Sequence, residues 1–245
     1  MSKRIYRKNA CGLRLTSFSV KVKETDLWIA LSTEAYNKDL PSEVEQLVFN
    51  HRLLLEQYLD DNPFYKSAFE PCLPVGNPPD LFRIMSNAAN RAGVGPMAAV
   101  AGAFAETVGR YLQQVAPEVV VENGGDIYIK ALAPMNVGLY AGNSPLSEKL
   151  ALKINPEQTP LGICTSSGIV GPSFSFGQAE AAVALSQSTP LADAVATAIG
   201  NRIKDAPDLE PAVEYARSIK GITGALAVYR GKIAAWGELE LVRTG

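Results

Sequence analysis

"STPLADAVATAIGN", residues Ser188 to Asn201, is the stretch of sequence on which the fold assignment depends. Its small side chains predict a helix. Ser188 or Thr189 is suited to the N-cap, and Pro190 to the first helical position. The stretch therefore predicts a helix with one carboxylate set among small apolar residues.

One polar ridge interrupts this otherwise apolar helix. Asp193, Thr197 and Asn201 are four residues apart, and each such step turns only about 40° around the helix, so their side chains lie in one row. Asp193 is too far along the helix for a capping box. Two interpretations stay open: an aspartate stabilised by the helix dipole, or a carboxylate and a hydroxyl that bind a hard cation such as Mg²⁺.

Composition restricts the classes of partner and compartment. With 245 residues, 47% of them hydrophobic, the chain can bury a large core without disulfides, and a net charge of −2 argues against nucleic-acid or membrane binding. No run of about 20 apolar residues or signal peptide is present, which predicts a cytoplasmic protein. Homo-oligomerisation is left open. The cysteines are too dispersed for a zinc site or a disulfide framework: Cys11, Cys72 and Cys164.

The order of the predicted elements indicates an α+β fold. Alternating residues predict a hairpin within the first 32 residues, and helical periodicity covers 42–59, 81–92 with Asp80 as its cap, and 96–115 with Pro96 in its first turn. Strands and one further helix complete the chain. We expect a single domain, 1–245, of mixed sheets packed with helices. Two related lobes would meet near the proline-rich residues 71–80.

Two short motifs suggest a ligand pocket. "VENGGDIYI" predicts a hairpin in which Asn123, Gly124 and Gly125 form the turn and Asp126 follows it as a hydrogen-bond acceptor. "TSSG", residues 165–168, offers hydroxyls and backbone N–H groups in a predicted loop. Each motif also has a purely structural interpretation, as a tight turn and as an ordinary loop.

Other motifs give weaker hypotheses. "GVGPMA", residues 93–98, has the letters of a dinucleotide-binding fingerprint, but it follows a predicted helix, whereas such a fingerprint follows a strand. It therefore predicts a glycine break between two helices. The free backbone N–H groups at the start of the second helix are still able to bind an anion. A serine hydrolase would need His51, the single histidine, as the base for Ser166 or Ser173. Because His51 is in a predicted helix distant in sequence from both serines, this alternative is not favoured.

Taken in order, "VENGGDIYI", "GICTSSG" and "LADAVATAI" resemble the ApbE superfamily, the FAD:protein FMN transferases. The stretch from 80 to 202 looks most like an uncharacterised ApbE-like family. The resemblance implies a divalent cation, usually Mg²⁺, held by Asp193 and Thr197 with the backbone carbonyl of Ala98. It also implies FAD as the cofactor, in a nucleotide pocket formed by Asn123, Gly124, Gly125, Asp126, Thr165, Ser166, Ser167 and Gly168.

The sequence departs from the transferases at two places. The histidine-containing segment that follows the loop block in those enzymes is absent, and Ala99 and Val100 replace a Lys-Gly pair. The resemblance therefore implies a flavin- or nucleotide-binding protein. Mg²⁺-dependent FMN transfer or FAD pyrophosphate cleavage are the reactions that would fit, and a noncatalytic binding or assembly protein of the same fold is the alternative.

Overall fold

The computed structural model describes residues 14–142, 144, 147, 149–168 and 177–244. Its strands are β1 (Leu15–Val22), β2 (Thr25–Ser32), β3 (Val119–Asn123), β4 (Asp126–Lys130), β5 (Met135–Gly138), β6 (Leu150–Ile154), β7 (Leu161–Ser166), β8 (Ala181–Ser186), β9 (Ile222–Tyr229), β10 (Lys232–Gly237) and β11 (Glu240–Arg243). Its α-helices are α1 (Leu40–Asp61), α2 (Asp80–Ala92), α3 (Val100–Leu112), α4 (Thr189–Arg202) and α5 (Leu209–Arg217). None of the described helices is long and apolar enough to cross a membrane.

Two antiparallel sheets form the framework of the described chain. The larger sheet has the strand order β1-β2-β3-β4-β7-β8-β9-β10, and the smaller sheet has the order β11-β6-β5. The central strands of the larger sheet are buried on both faces, because the helices cover one face and the smaller sheet covers the other, whereas the edge strands β1 and β10 are only partly buried. In β2, Leu27, Ile29 and Leu31 face the helices, whereas Trp28 and Ala30 face the smaller sheet. This two-sided burial explains why the strands read as continuous apolar runs. The α+β architecture expected from the sequence is confirmed.

Helix α4 occupies the centre of the helical layer. It packs against β7 and β8 of the sheet and against α2, α3 and α5, and most of its residues are buried. Two glycines allow this close approach. A Cβ at Gly162 in β7 would lie 2.5 Å from the Cα of Thr189, and a Cβ at Gly102 in α3 would lie 2.7 Å from the Thr189 carbonyl oxygen. The small residues of α4 and its neighbours therefore set the spacing of the whole layer.

Most predicted elements are present, with corrections at their ends. Pro79, not Asp80, is the N-cap of α2, and Asp80 instead pairs with Arg83 at 2.8 Å. The helix predicted from Pro96 begins as a separate 3₁₀ turn, Pro96–Ala99, before α3. Ser188 is the N-cap of α4, which places Pro190 second rather than first.

The TSSG motif is also only partly a loop. Thr165 and Ser166 belong to β7 because their backbones pair with Val183 and Ala182 of β8. Cys72 and Cys164 form no disulfide, while Cys11 and Ser173 lie outside the described residues. The proposed lobe boundary at 71–80 lies in the connection before α2 and stays a prediction.

The contact between β7 and α4 can be tested by adding one methyl group. We expect Gly162→Ala to lower the free energy of unfolding by about 3 kcal/mol, because its Cβ meets backbone that cannot rotate away. Gly138→Ala, at a strand position with no atom within 4 Å, is the control and should change it by less than about 0.5 kcal/mol. Urea unfolding measures both, and equal effects would contradict the packing described for α4.

Candidate functional site

The hairpin between β3 and β4 fixes the position of Asp126, the first candidate residue of the site. Asn123 pairs with Asp126, and the two residues between them, Gly124 and Gly125, have φ values of +70° and +115°. The tight hairpin expected from the sequence is present, but Gly124 and Gly125 supply the positive φ values, and Asn123 is the last residue of β3 rather than part of the turn. The Gly125 N–H donates to Oε1 of Glu122 at 3.1 Å. Asp126 is thereby held as the first residue of β4.

Asp126 faces the helices from a buried position. It pairs in register with Cys164 of β7, which lies in the core between sheet and helices. Asp126 is only 8% exposed, and its Oδ1 has no hydrogen-bond partner in the described part of the chain. Burial raises the pKa of Asp126 to about 7; the Cys164 thiol and the Thr165 N–H oppose this shift, and the Glu122 carboxylate adds to it.

Asp193 caps a neighbouring helix rather than its own. The N–H of Gly102, in the first turn of α3, donates to Oδ2 of Asp193 at 2.8 Å. First-turn N–H groups have no partner within their helix and carry its positive dipole end, so a carboxylate is well placed there. This contact is a structural reason for Asp193 that the sequence interpretation lacked, because it depends on a residue 91 positions away.

A matching contact joins the same two helices one turn further on. The N–H of Thr189, the first residue of α4, donates to Oε2 of Glu106 in α3 at 2.7 Å. The second contact lies four residues later in α3, at Glu106 instead of Gly102, but four residues earlier in α4, at Thr189 instead of Asp193. The two helices are therefore antiparallel. Each helix therefore receives a carboxylate at its first turn from the other. We call these two contacts the reciprocal caps.

Electrostatics at the site are dominated by burial. The pKa of Asp193 is raised well above its ordinary value by burial and by the Asp126 carboxylate, against the opposing effect of the Gly102 and Ala101 N–H groups. Burial also raises the pKa of the Cys164 thiol, and both carboxylates add to the increase. Because the thiolate is the reactive form, Cys164 is a poor nucleophile. Its Sγ lies 3.4 Å from the Thr189 carbonyl oxygen.

The hairpin and the start of α3 are joined directly. The Asn123 side-chain amide donates to the carbonyl oxygen of Ala101 at 3.1 Å. Asn123, Asp126 and Asp193 are thus brought together at the first turn of α3, although about 70 residues of sequence separate the last two. This convergence is the candidate site.

The other residues predicted for the site lie at different places relative to this convergence. Thr197 is one turn after Asp193 in α4, and Ala98 is in the 3₁₀ turn that leads into α3; both are partly buried. Thr165 approaches the hairpin, with its carbonyl oxygen 3.6 Å from the Cβ position of Gly125. Ser166 ends β7, and Ser167 follows it. Gly168 turns toward Gly177, and its N–H donates to Ala179.

The donor set suits a hard cation better than a soft one. Within the described ranges, no group of three or more His, Cys, Asp and Glu side chains is arranged to hold a metal ion. Two carboxylates, a hydroxyl and backbone carbonyls are oxygen donors of the type that Mg²⁺ prefers. A cation bound here would contact the buried Oδ1 of Asp126, which has no hydrogen-bond partner among the described residues. Residues able to contribute are Asp126, Asp193, Thr197 and Ala98.

His51 lies elsewhere, on α1. It lines a cleft of about 490 Å³ whose described walls contain no serine; they include Tyr58, Asn77, Asp80 and Arg83. Ser166 belongs to the central sheet. The described residues therefore give no support to the serine hydrolase alternative.

Comparisons with known proteins agree with this fold. A family model described as AbpE bacteria matches residues 8–224. A UPF0280 protein of Methanocella arvoryzae is 42% identical over 193 residues, covering 78% of each chain. The apo flavinyl transferase ApbE of Pseudomonas stutzeri superposes with a TM-score of 0.56 at 13% identity, over 93% of this chain and 96% of that one. The flavin transferase ApbE of Vibrio cholerae gives 0.54 at 15% identity, over 91% and 96%. The resemblance inferred from the three sequence blocks is confirmed.

The single histidine allows a direct test of the environment of His51. Burial lowers its pKa, and the Asp80 carboxylate opposes that change only in part. We expect NMR titration of the one imidazole to give a pKa below the ordinary value of about 6.5. The native state then binds fewer protons than the unfolded state, so this group reduces stability as the pH falls through 6.5. Titration of the urea-unfolded chain is the control, and a native pKa of 6.5 or higher would contradict the half-buried position.

Proposed function

This chain belongs to the family described as AbpE bacteria, and from that premise we propose that it binds a flavin or another nucleotide together with Mg²⁺. The observation that carries the proposal is the pair of buried carboxylates, Asp126 and Asp193, at the first turn of α3. The fold shared with the flavinyl transferase ApbE of Pseudomonas stutzeri and the flavin transferase ApbE of Vibrio cholerae supports the choice of flavin. FAD is the proposed ligand.

Each part of the proposed site has a separate role. Asp193 and Thr197, one helical turn apart, would hold Mg²⁺ together with the Ala98 carbonyl oxygen. Oδ2 of Asp193 is already oriented by the Gly102 N–H, which fixes the carboxylate before any cation arrives. The nucleotide would lie against the Asn123–Asp126 turn and the residues from Thr165 to Gly168. Glycines leave the backbone of the turn open to phosphate or ribose.

The reaction that would fit this arrangement is attack at the FAD pyrophosphate with AMP as the leaving group: an acceptor group would take the FMN moiety in a transfer, and water would take it in a simple cleavage. Bound Mg²⁺ would neutralise the charge that develops on the phosphate oxygens. The first turn of α3 favours anions through its N–H groups and dipole. Cys164 is not suited to nucleophilic attack because its raised pKa keeps the thiol protonated. Burial raises the pKa of Asp126 to about 7.

A second candidate is a noncatalytic protein that binds the same ligand. One observation favours it: the sequence has a single histidine, and His51 lies on α1 in a cleft away from the central sheet. Transferases of the resembled family carry a histidine-containing segment after the loop block. Binding without turnover would then serve assembly or delivery of the flavin.

The binding proposal is tested by thermal unfolding with FAD and Mg²⁺. We expect the two ligands together to raise Tm, because a ligand that binds only the native state stabilises it by mass action. Asp193→Asn keeps an oxygen to accept from Gly102 but removes the charge, so it should abolish the Mg²⁺-dependent part of the increase. Glu106→Gln makes the same chemical change at the other reciprocal cap and should retain that part.

A direct assay separates the two candidate functions. Incubation with FAD and Mg²⁺, followed by chromatography, should yield FMN and AMP if the chain cleaves the pyrophosphate. Turnover that is lost in Asp193→Asn and kept in Glu106→Gln would exclude a purely binding role. No Tm change with any flavin or adenine nucleotide would reject the binding proposal itself.

A further inference from the structure

We propose that Asp126 supplies a second carboxylate to the same divalent cation that Asp193 holds, an inference that rests on the function proposed above. The resemblance places Asp126 in the nucleotide pocket and assigns the metal to Asp193, Thr197 and Ala98. The structure gives Asp126 a different environment, one that a cation would complete.

The backbone directs Asp126 toward α4. Asp126 and Cys164 are register partners on adjacent strands, so their side chains leave the sheet on the same face. The Sγ of Cys164 contacts the Thr189 carbonyl oxygen at 3.4 Å, which shows that this face meets the first turn of α4. Asp193 follows Thr189 by one turn on α4. The Asp126 carboxylate therefore approaches the same part of the helix that presents Asp193.

A second contact reaches the same place from the turn. The Asn123 amide binds the Ala101 carbonyl oxygen at 3.1 Å, and the next residue, Gly102, donates its N–H to Asp193. Asn123 is the direct strand partner of Asp126. Two separate chain segments thus bring Asp126 and Asp193 to one end of α3.

Among the described residues, no lysine or arginine neutralises the two buried carboxylates. Asp126 and Asp193 are 8% and 9% exposed, and neither forms an ion pair with a lysine or arginine among the described residues. Oδ1 of Asp126 is buried and accepts no hydrogen bond from the described chain. Buried charges are ordinarily paired or bound to a metal, and a buried acceptor without a partner is costly. One divalent ion would satisfy both carboxylates at once.

The resulting ligand set would consist of oxygen atoms only: two carboxylates, the Thr197 hydroxyl and the Ala98 carbonyl. Such a set selects a hard ion such as Mg²⁺.

The experiment is a Mg²⁺ titration of the full chain without flavin, followed by thermal unfolding and by calorimetry. We expect Asp126→Asn to weaken the Mg²⁺ affinity at least tenfold, since even indirect partners of metal ligands commonly contribute that much. Glu118→Gln is the matched control. It removes a buried carboxylate that directly precedes β3, at the end of the strand opposite the Asn123–Asp126 turn, and it should shift the affinity less than about twofold.

The outcomes distinguish this inference from the function on which it rests. Wild-type affinity in Asp126→Asn, with the affinity lost in Asp193→Asn, would overturn the role of Asp126 and leave the proposed function intact. Equal losses in Asp126→Asn and Glu118→Gln would also overturn it, because the loss of any buried negative charge would then explain both. If the wild-type chain responds to Mg²⁺ neither alone nor with FAD, the proposed function fails as well. Should Asp126→Asn fail to fold, Asp126→Ser is judged by the same criteria.

Discussion

The reciprocal caps hold α3 and α4 together, and the positions of the other groups at the site depend on them. Asp193 receives the Gly102 N–H at 2.8 Å, and Glu106 receives the Thr189 N–H at 2.7 Å. Each carboxylate meets the positive end of the partner helix and satisfies an N–H that the helix itself leaves unpaired. Because the two contacts are one helical turn apart on both helices, they fix the antiparallel register as well as the distance.

That register is also what concentrates acidic groups in one buried place. Gly102 must lack a side chain for α4 to approach, and the approach places Asp193 beside the hairpin that carries Asp126. Two buried carboxylates, of which Asp126 raises the pKa of Asp193, oppose folding unless they are protonated or paired. A structure selected for stability alone would not be expected to keep both. Their presence is explained if the site binds a cation, so the same arrangement serves packing and the proposed function.

The sequence predicted the elements that depend on local chemistry. The Asn123–Asp126 turn follows from the need for positive φ at Gly124 and Gly125, and the central helix follows from its small residues and Pro190. Contacts across the chain were not predictable. Nothing near Asp193 in the sequence indicates that its partner is Gly102, and Glu106 reads as an ordinary surface residue of a helix. Thr165 and Ser166 were predicted as loop because only their pairing with β8 shows them to be strand.

The central claim, that a divalent cation lies between Asp193 and the start of α3, is tested most directly by crystallography with Mn²⁺ in place of Mg²⁺. Crystals grown with FAD and Mn²⁺ would be measured at a wavelength where manganese scatters anomalously. We expect one anomalous peak in coordination contact with the Asp193 carboxylate and on the side of Asp126. Crystals that contain ordered FAD but show no peak there, or show the peak only at another place, would contradict the account.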